Sequence, residues 1–149
     1  MQVKDVMTAD PTCCTADTSL TDVATMMVDN DCGEIPVVES NDNKKPVGVV
    51  TDRDIVCRIV AKGTNPLDKT AADCMTQPVV TVTPDTPVDE CCRLMEAKLI
   101  RRVPVVDEQG TVCGIVALAD IARLAQKNAA GEVIREVSEP GMSASASAR

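Results

Sequence analysis

The chain has 149 residues, a length that fits one domain or two small halves. Its formal net charge of −8 argues against nucleic acid and against an anionic membrane surface as partners, because both require a basic face on the protein. It contains no Phe, Tyr or Trp, so its core must be built from aliphatic and sulfur-containing side chains.

In the first half, hydrophobic periodicity predicts the order strand, helix, strand, strand, helix. Thr18 is the expected cap of the first helix, and Gly63 is expected to end the second. The predicted elements are an extended piece at 12–15, a helix at about 19–30, strands at 35–38 and 46–50 around a polar hairpin loop, and a helix at about 52–62.

The second half predicts the same order. Thr86 is the expected cap of its first helix, with Pro87 at the favoured first helical position. The C-terminal residues are polar and rich in Ser and Ala, so a disordered tail is expected there. The predicted elements are an extended piece at 79–82, a helix to about 98, strands at 103–106 and 112–116, and a helix at about 118–130.

These two halves are related by a tandem duplication, because many residues match in order with a single gap. The spacing is 68 residues (75 − 7) before the hairpin loop, and a two-residue deletion follows in that loop. The matches include Met7-Thr8 with Met75-Thr76, Pro36-Val37-Val38 with Pro104-Val105-Val106, Gly48 with Gly114, and Asp54 with Asp120. We therefore predict an α+β fold of two β-α-β-β-α repeats about a pseudo-twofold axis, with repeat 1 at 1–62, a linker at 63–70, repeat 2 at 71–130 and the tail at 131–149.

Each repeat places an acid one turn into the helix that follows its last strand, and this arrangement has two interpretations. In repeat 1 the Thr51 hydroxyl can meet a phosphate, and the Asp54 carboxylate can accept from the vicinal hydroxyls of a ribose. Thr51 and Asp54 can equally form an ordinary capping pair at the helix start. The recurrence of the acid at Asp120 favours a ligand site.

The eight cysteines do not form a Cys-x-x-Cys motif, and the chain has no histidine. The usual zinc patterns are therefore missing, and no metal site is predicted. Most of the cysteines fall opposite an apolar residue in the other repeat, as Cys14 does opposite Val82 and Cys74 opposite Val6. Cysteine is therefore expected to act here as a small hydrophobic residue. A thiol redox or metal-binding role, suggested by the vicinal pairs Cys13-Cys14 and Cys91-Cys92, is the alternative.

The motifs that carry a family resemblance are the Met-Thr openings, the Pro-Val-Val strands and the Gly-Val-Val-Thr-Asp-Arg-Asp segment. With these motifs, residues 1–130 resemble a CBS-domain pair, also called a Bateman module, of the small stand-alone bacterial signalling or stress type. The resemblance implies a regulatory module that binds an adenosine-containing ligand (AMP, ADP, ATP, NAD or S-adenosylmethionine) between its repeats. It implies no catalytic cofactor and no catalysis, and it implies a homodimer that acts on a downstream protein.

Carried over by position, the resemblance implies that Asp54 and Asp120 hold ribose hydroxyls and that Thr51 meets a phosphate or a ribose oxygen. The ligand-binding candidates are Thr51, Asp52, Arg53, Asp54, Thr76 and Val80 for the first cleft, Thr8, Thr12, Ala117 and Asp120 for the second, and Arg101 and Arg102 for phosphate. The arginine pair has a structural alternative, a solvated corner or an ion pair with Glu34.

The repeats differ at two of these positions. Ala117 stands where repeat 1 has Thr51, and Gly33-Glu34 stands where repeat 2 has Arg101-Arg102. The two clefts are therefore expected to differ in affinity and in ligand.

Three functions remain open from the sequence: a nucleotide sensor, a thiol or metal protein, and a dimerisation scaffold without a ligand. The sensor is favoured, since the chain has no histidine and no Walker or Rossmann glycine loop. The first residues are charged where a signal peptide is apolar, so a cytoplasmic location is expected.

Overall fold

A computed structural model describes the backbone of residues 1–138 and the side chains as far as residue 129. This part of the chain forms an α+β fold with two three-stranded sheets, which confirms the predicted fold class. Its strands are β1 (Thr8–Ala9), β2 (Cys14–Thr15), β3 (Glu34–Val38), β4 (Pro46–Thr51), β5 (Arg102–Val106) and β6 (Val112–Ala117). Its helices are α1 (Leu20–Asp29), α2 (Asp52–Arg58), α3 (Val88–Lys98) and α4 (Leu118–Ser138).

The two sheets repeat one another in register. The β3–β4 hairpin pairs Val37 with Gly48, and the β5–β6 hairpin pairs Val105 with Gly114. Both hairpins shift register immediately after that pair. β2 pairs with β3 in parallel, whereas its counterpart in repeat 2 makes a single parallel bridge from Val82 to Val105. The extended piece predicted at 79–82 is therefore reduced to one bridge.

The opening segment of each repeat lies on the other repeat. The Val3 N–H donates to the Thr86 carbonyl at 2.8 Å, and the Ala71 N–H donates to the Thr18 carbonyl at 2.9 Å. β1 also pairs antiparallel with β6, and Thr76 makes the equivalent bridge to Val49 in β4. The two repeats are thus joined by a reciprocal exchange of their first residues.

The exchange determines the composition of the two hydrophobic cores. The core of repeat 1 contains Ala71 and Cys74 from the second opening segment, and the core of repeat 2 contains Val3 from the first. The other members are mainly Val, Ile, Leu and Met from the strands and from α1 and α3. Cys14 and Cys91 are also buried in these cores, as expected of cysteine used as a small hydrophobic residue.

Two helix starts differ from the sequence prediction. α1 is capped by the Ser19 hydroxyl, and α3 begins at Val88 without a side-chain cap. The Thr18 and Thr86 hydroxyls instead accept from the backbone N–H three residues earlier, in the turn that precedes each helix. The predicted caps were wrong because threonine also stabilises such turns.

Two helix ends also differ. α2 ends at Arg58, and a 3-10 turn at Val60–Lys62 follows before Gly63 adopts a left-handed conformation with φ of 76°. α4 continues to Ser138 rather than ending near residue 130, so the helix extends into the segment 131–138. The rest of the predicted tail, 139–149, lies outside the described residues. No helix in the described part is long and apolar enough to span a bilayer.

Candidate functional site

The start of α2 is a capping box. The Thr51 hydroxyl accepts from the Asp54 N–H at 3.0 Å, and Asp54 Oδ2 accepts from the Thr51 N–H at 3.0 Å. Each bond satisfies a backbone donor that the helix leaves unpaired. The capping pair considered from the sequence is therefore present. It leaves acceptor positions free, because an ionised carboxylate offers about four lone-pair sites.

Asp54 also makes contact with the second repeat. The Thr76 hydroxyl lies 3.3 Å from Asp54 Oδ2 and 3.4 Å from Oδ1, in donor position. The Asp54 side chain is 13% exposed. The structure thus brings Thr51, Asp54 and Thr76 together at the seam between the repeats, where β4 meets the exchanged opening segment.

Arg58 belongs to the same cluster and was missed by the sequence reasoning. Its guanidinium lies 3.8 Å from Asp54 Oδ1 and donates to the backbone carbonyls of Cys74 at 2.9 Å and Met75 at 3.2 Å. It therefore links α2 to the segment that carries Thr76. The spacing of four residues between Asp54 and Arg58 on a helix was the signal that could have identified it.

A glycine in each sheet permits the close approach of the exchanged segment. A Cβ atom at Gly48 would lie 2.8 Å from the Thr76 carbonyl oxygen, and one at Gly114 would lie 3.2 Å from the Thr8 carbonyl oxygen. Both distances are shorter than ordinary carbon–oxygen contacts, so a side chain at either position would move the neighbouring backbone.

The second cleft has the same backbone plan with different side chains. β6 ends at Ala117, which has no hydroxyl, and Asp120 is ion-paired with Arg123 on its own helix. Thr8 pairs with Ile115 in the sheet, but no hydrogen bond joins it to Asp120 in the described part of the chain. The Asp120 side chain is 29% exposed, about twice the exposure of Asp54.

Thr12, Val80 and Arg53 are not drawn into these clusters. The Thr12 hydroxyl donates to Asn30 Oδ1 at 3.2 Å, and Thr12 lines a cavity of about 380 Å³ near Lys44. Val80 is half-buried, and Arg53 is exposed.

Arg102 reaches from repeat 2 to repeat 1. A Cβ atom at Gly33 would lie 3.3 Å from Arg102 Nη1 and 2.8 Å from Asp52 Oδ2. The Arg102 guanidinium and the Asp52 carboxylate therefore both lie against Gly33. Arg101 is exposed, and its carbonyl accepts from the Leu118 N–H at 2.8 Å. The ion pair with Glu34 considered from the sequence is not formed within 4.0 Å by either arginine.

Glu34 is the one buried charged residue among the described side chains, at 6% exposure. Its Oε2 atom is buried without a hydrogen-bond partner. Burial raises the pKa of the Glu34 carboxyl to about 8; the nearby Arg102 guanidinium lowers it, and the Asp54 carboxylate adds to the rise. Sequence reasoning noted Glu34 as a departure between the repeats and as an ion-pair partner of the arginines. It did not predict the burial of Glu34, because burial depends on tertiary packing.

Five of the eight cysteines have thiols whose pKa is raised, which is the opposite of thiol activation. Burial raises the pKa of the Cys14 thiol to about 12, and the pKa values of Cys13, Cys74, Cys91 and Cys113 are also raised, chiefly by burial. A raised pKa reduces the reactive thiolate fraction. Within the described residues, no group of three or more Cys, Asp or Glu side chains is placed to hold a metal ion.

The geometry defines a two-repeat module in which each repeat carries the opening segment of the other. Asp54 lies at the seam of the first repeat, and Asp120 holds the equivalent position in the second. The CBS domain family model matches residues 3–61 and 71–127, and the chain belongs to the CBS-domain family as a domain pair. The resemblance inferred from the sequence motifs is thereby confirmed.

The relatives that are similar over much of the chain include two uncharacterized proteins. It is 39% identical to the uncharacterized protein YlbB of Bacillus subtilis over 139 residues, which are 93% of this chain and 92% of that protein. It is 38% identical over 121 residues to the uncharacterized protein MK0525 of Methanopyrus kandleri. The aligned residues are 81% of this chain and 58% of that protein, so this chain spans little more than half of MK0525.

Among the solved structures that are similar in fold, three are informative about ligands. The CBS domain pair of protein MJ0100, in complex with 5′-methylthioadenosine and S-adenosyl-L-methionine, has a TM-score of 0.77 at 31% identity, covering 86% of this chain and 98% of that one. Hypoxic Response Protein I, with two coordinated zinc ions, has a TM-score of 0.73 at 34% identity, covering 83% and 98%. CBSX2 in complex with AMP has a TM-score of 0.71 at 27% identity, covering 85% and 97%.

Proposed function

We propose that the chain is a non-catalytic regulatory sensor that binds an adenosine-containing small molecule in the cleft at Asp54, and a second one, with different affinity, in the cleft at Asp120. The observation that carries the proposal is the contact of Thr76 with Asp54 across the seam. A carboxylate held there can accept from the two hydroxyls of a ribose. The ligands in the MJ0100 and CBSX2 structures support an adenosine compound.

Binding at this place would be transmitted through the exchanged segment. A ribose that bonds Asp54 competes with the Thr76 hydroxyl and with Arg58, which also holds the Cys74 and Met75 carbonyls. Ligand binding therefore changes how α2 is tied to the opening segment of repeat 2. A ligand can shift the protein only as far as its affinities for the two arrangements differ.

We further propose that the signal is read by a partner protein from a homodimer. Val28 on α1, Val56 on α2 and Leu67 in the 3-10 turn at Pro66–Asp68 have exposed fractions of 79%, 56% and 70%. Val28 and Leu67 line an apolar cavity of about 410 Å³ beside α1. Contiguous exposed apolar residues of this kind are typical of self-association surfaces.

Calorimetry tests the sensor function, because the chain has no aromatic fluorescence. AMP, ATP, NAD and S-adenosylmethionine are each titrated into the parent, Asp54→Ala and Asp120→Ala. We expect each variant to lose one binding event while remaining folded. A ligand at a hundred times its dissociation constant should also raise stability by about 2.7 kcal/mol. The proposal fails if no adenosine compound binds, or if both variants bind like the parent.

The zinc ions in the structure of Hypoxic Response Protein I give the metal alternative one specific observation. The metal-binding alternative is less well supported than the sensor function, because the described residues hold no cluster of metal-ligating side chains. In addition, the shifted thiol pKa values are all raised, which disfavours the thiolate that binds a metal. Metal analysis of the purified chain would decide in its favour if zinc were found at one or more ions per chain. A scaffold without a ligand would give no calorimetric response to any of the compounds.

A further inference from the structure

We propose that Glu34 is a ligand-contacting residue of the Asp54 cleft and that it makes this cleft select an adenosine compound whose 5′ substituent is uncharged or cationic over one that carries a phosphate. This inference rests on the proposed sensor function and specifies the ligand class of one of its two clefts.

The sheet register places Glu34 beside the proposed ribose site. Glu34 in β3 is the cross-strand partner of Thr51 in β4, so their side chains share one face of the sheet, with Cβ atoms roughly 4.5–5.5 Å apart. Ile35 and Val37 point into the core of repeat 1. By the alternation of a strand, Glu34 points to the opposite face, and the Arg102 guanidinium of repeat 2 lies near enough to lower the pKa of its carboxyl. A nucleoside held by Asp54 would therefore extend past Glu34.

The Glu34 carboxyl is buried but not satisfied. It is only 6% exposed, and its Oε2 atom has no hydrogen-bond partner. Buried side-chain oxygens are nearly always bonded, and an exception calls for an explanation such as a bound molecule. Arg102 lies nearby, yet no ion pair is formed within 4.0 Å. A ligand group that donates to Oε2 would supply the missing bond.

The two clefts differ in charge at equivalent positions. Three carboxyl groups surround the first seam, whereas the matching positions in repeat 2 carry a base, an apolar residue and one acid. The correspondence is Glu34 with Arg102, Asp52 with Leu118, and Asp54 with Asp120. A phosphate in the first cleft would lie among the three acids, with only the nearby arginines to offset them. A sulfonium or amine would instead be attracted, and a thioether would be tolerated.

The protonation of Glu34 is consistent with this selection. Burial and the Asp54 carboxylate raise its pKa to about 8, while Arg102 lowers it. The other charged groups at this end of the cleft are Asp52 and Arg58. A cation would favour the ionised form of Glu34, in which both oxygens accept, whereas a phosphate would favour the protonated form.

The test isolates the first cleft by working in the Asp120→Ala background. Titration calorimetry at pH 8 compares 5′-methylthioadenosine and S-adenosylmethionine with AMP in this background, with and without Glu34→Gln. We expect the thioether to bind at least about tenfold more tightly than AMP, equivalent to ~1.4 kcal/mol, and the ratio to fall to about threefold or less in Glu34→Gln. Glu39→Gln, an exposed glutamate just after β3, is the matched control and should leave the ratio unchanged.

A second variant, Asp52→Asn, gives an independent measurement, because it removes an acid from the same cleft at an exposed position. Asp52→Asn should also lower the ratio of the affinity for 5′-methylthioadenosine to the affinity for AMP. Equal binding of AMP and 5′-methylthioadenosine, or a ratio that neither variant changes, would overturn the selectivity and leave the sensor function intact. Absence of binding by every adenosine compound in the parent would overturn both proposals.

Discussion

The Thr76 hydroxyl lies 3.3 Å from the Asp54 carboxylate, although 22 residues separate them in the chain. The contact joins the helix that follows the last strand of repeat 1 to the opening segment of repeat 2. It makes the candidate ligand site and the junction between the repeats one and the same place.

Removing this hydroxyl should weaken the junction. In Thr76→Val we expect the free energy of unfolding to fall by about 1 kcal/mol, the usual net contribution of a partly buried hydrogen bond. Urea unfolding followed by far-UV circular dichroism measures the change. Thr8→Val is the matched control, because Thr8 occupies the equivalent position and makes no such bond to Asp120. Equal losses in the two variants would show that the Asp54 contact contributes nothing specific.

Arg58 should contribute to the same junction from the helix side. Arg58→Met keeps most of the aliphatic stem but leaves the Cys74 and Met75 carbonyls without their donor. We expect a loss of about 1–2 kcal/mol in the same measurement, since each neutral acceptor loses a charged donor. Arg53→Met, on the exposed side of α2, should be neutral within about 0.5 kcal/mol. A neutral Arg58→Met would mean that water replaces the guanidinium without loss.

Stability should decrease as the pH rises, through Glu34. Its pKa is raised from 4.5 to about 8 in the folded chain, so between these values the folded state keeps a proton that the unfolded chain releases. The stabilisation is therefore complete below about pH 4.5 and lost as the pH rises through 8. We expect the loss between pH 5 and pH 8 to be on the order of a few kcal/mol.

Glu34→Gln cannot titrate, so its stability should change much less over the same interval and should exceed that of the parent at pH 8. Urea unfolding at pH 5, 6.5 and 8 tests this. Glu39→Gln should retain the slope of the parent, because Glu39 is exposed. Identical slopes for the parent and Glu34→Gln would contradict a buried, protonated Glu34.

The close approach at Gly48 predicts an overpacked variant. In Gly48→Ala the new methyl group would lie 2.8 Å from the Thr76 carbonyl oxygen, which belongs to the backbone and cannot rotate away. A loss of about 2 kcal/mol is expected, within the usual range for overpacking. Gly114→Ala should lose less, because its shortest contact is with the flexible side chain of Met7. Thermal unfolding by calorimetry ranks the two variants, and a reversed order would refute the explanation.

The proposed dimer predicts a change in oligomeric state. Replacing both Val28 and Leu67 by Lys puts charge on the exposed apolar face beside α1, and we expect sedimentation velocity to show monomers where the parent shows dimers. Leu99→Lys is the control, because Leu99 is 91% exposed at the C-terminal end of α3 and does not line the cavity beside α1. A parent that is monomeric at tens of micromolar would remove the dimer from the proposal.

The fold could be predicted from the sequence because the duplication makes each half a check on the other. The offset between Met7 and Met75 aligned the strands, and the hairpin registers repeat accordingly. The exchange of opening segments, which puts Val3 and Ala71 into opposite cores, does not follow from local pattern. Periodicity records which residues are apolar but not which core they enter.

For the first cleft, the family resemblance nominated Thr51, Asp52, Arg53, Asp54, Thr76 and Val80. The structure brings Thr51, Asp54 and Thr76 together, whereas Arg53 and Val80 lie outside this cluster. The sequence did not indicate Arg58 or the burial of Glu34, because both depend on contacts between distant segments. The assigned helix caps at Thr18 and Thr86 failed for a local reason: a hydroxyl can serve the preceding turn as well as the helix start.

The reciprocal exchange has a consequence for how such a chain could arise. A single repeat could not cover its own core with its opening segment, because in this fold each opening segment packs on the other repeat. Two identical half-length chains could complete each other by donating these segments mutually, as in a domain-swapped pair. Gene fusion of such a pair would preserve these contacts and allow the two halves to diverge. The presence of Glu34 at the position where repeat 2 has Arg102 is an example of that divergence.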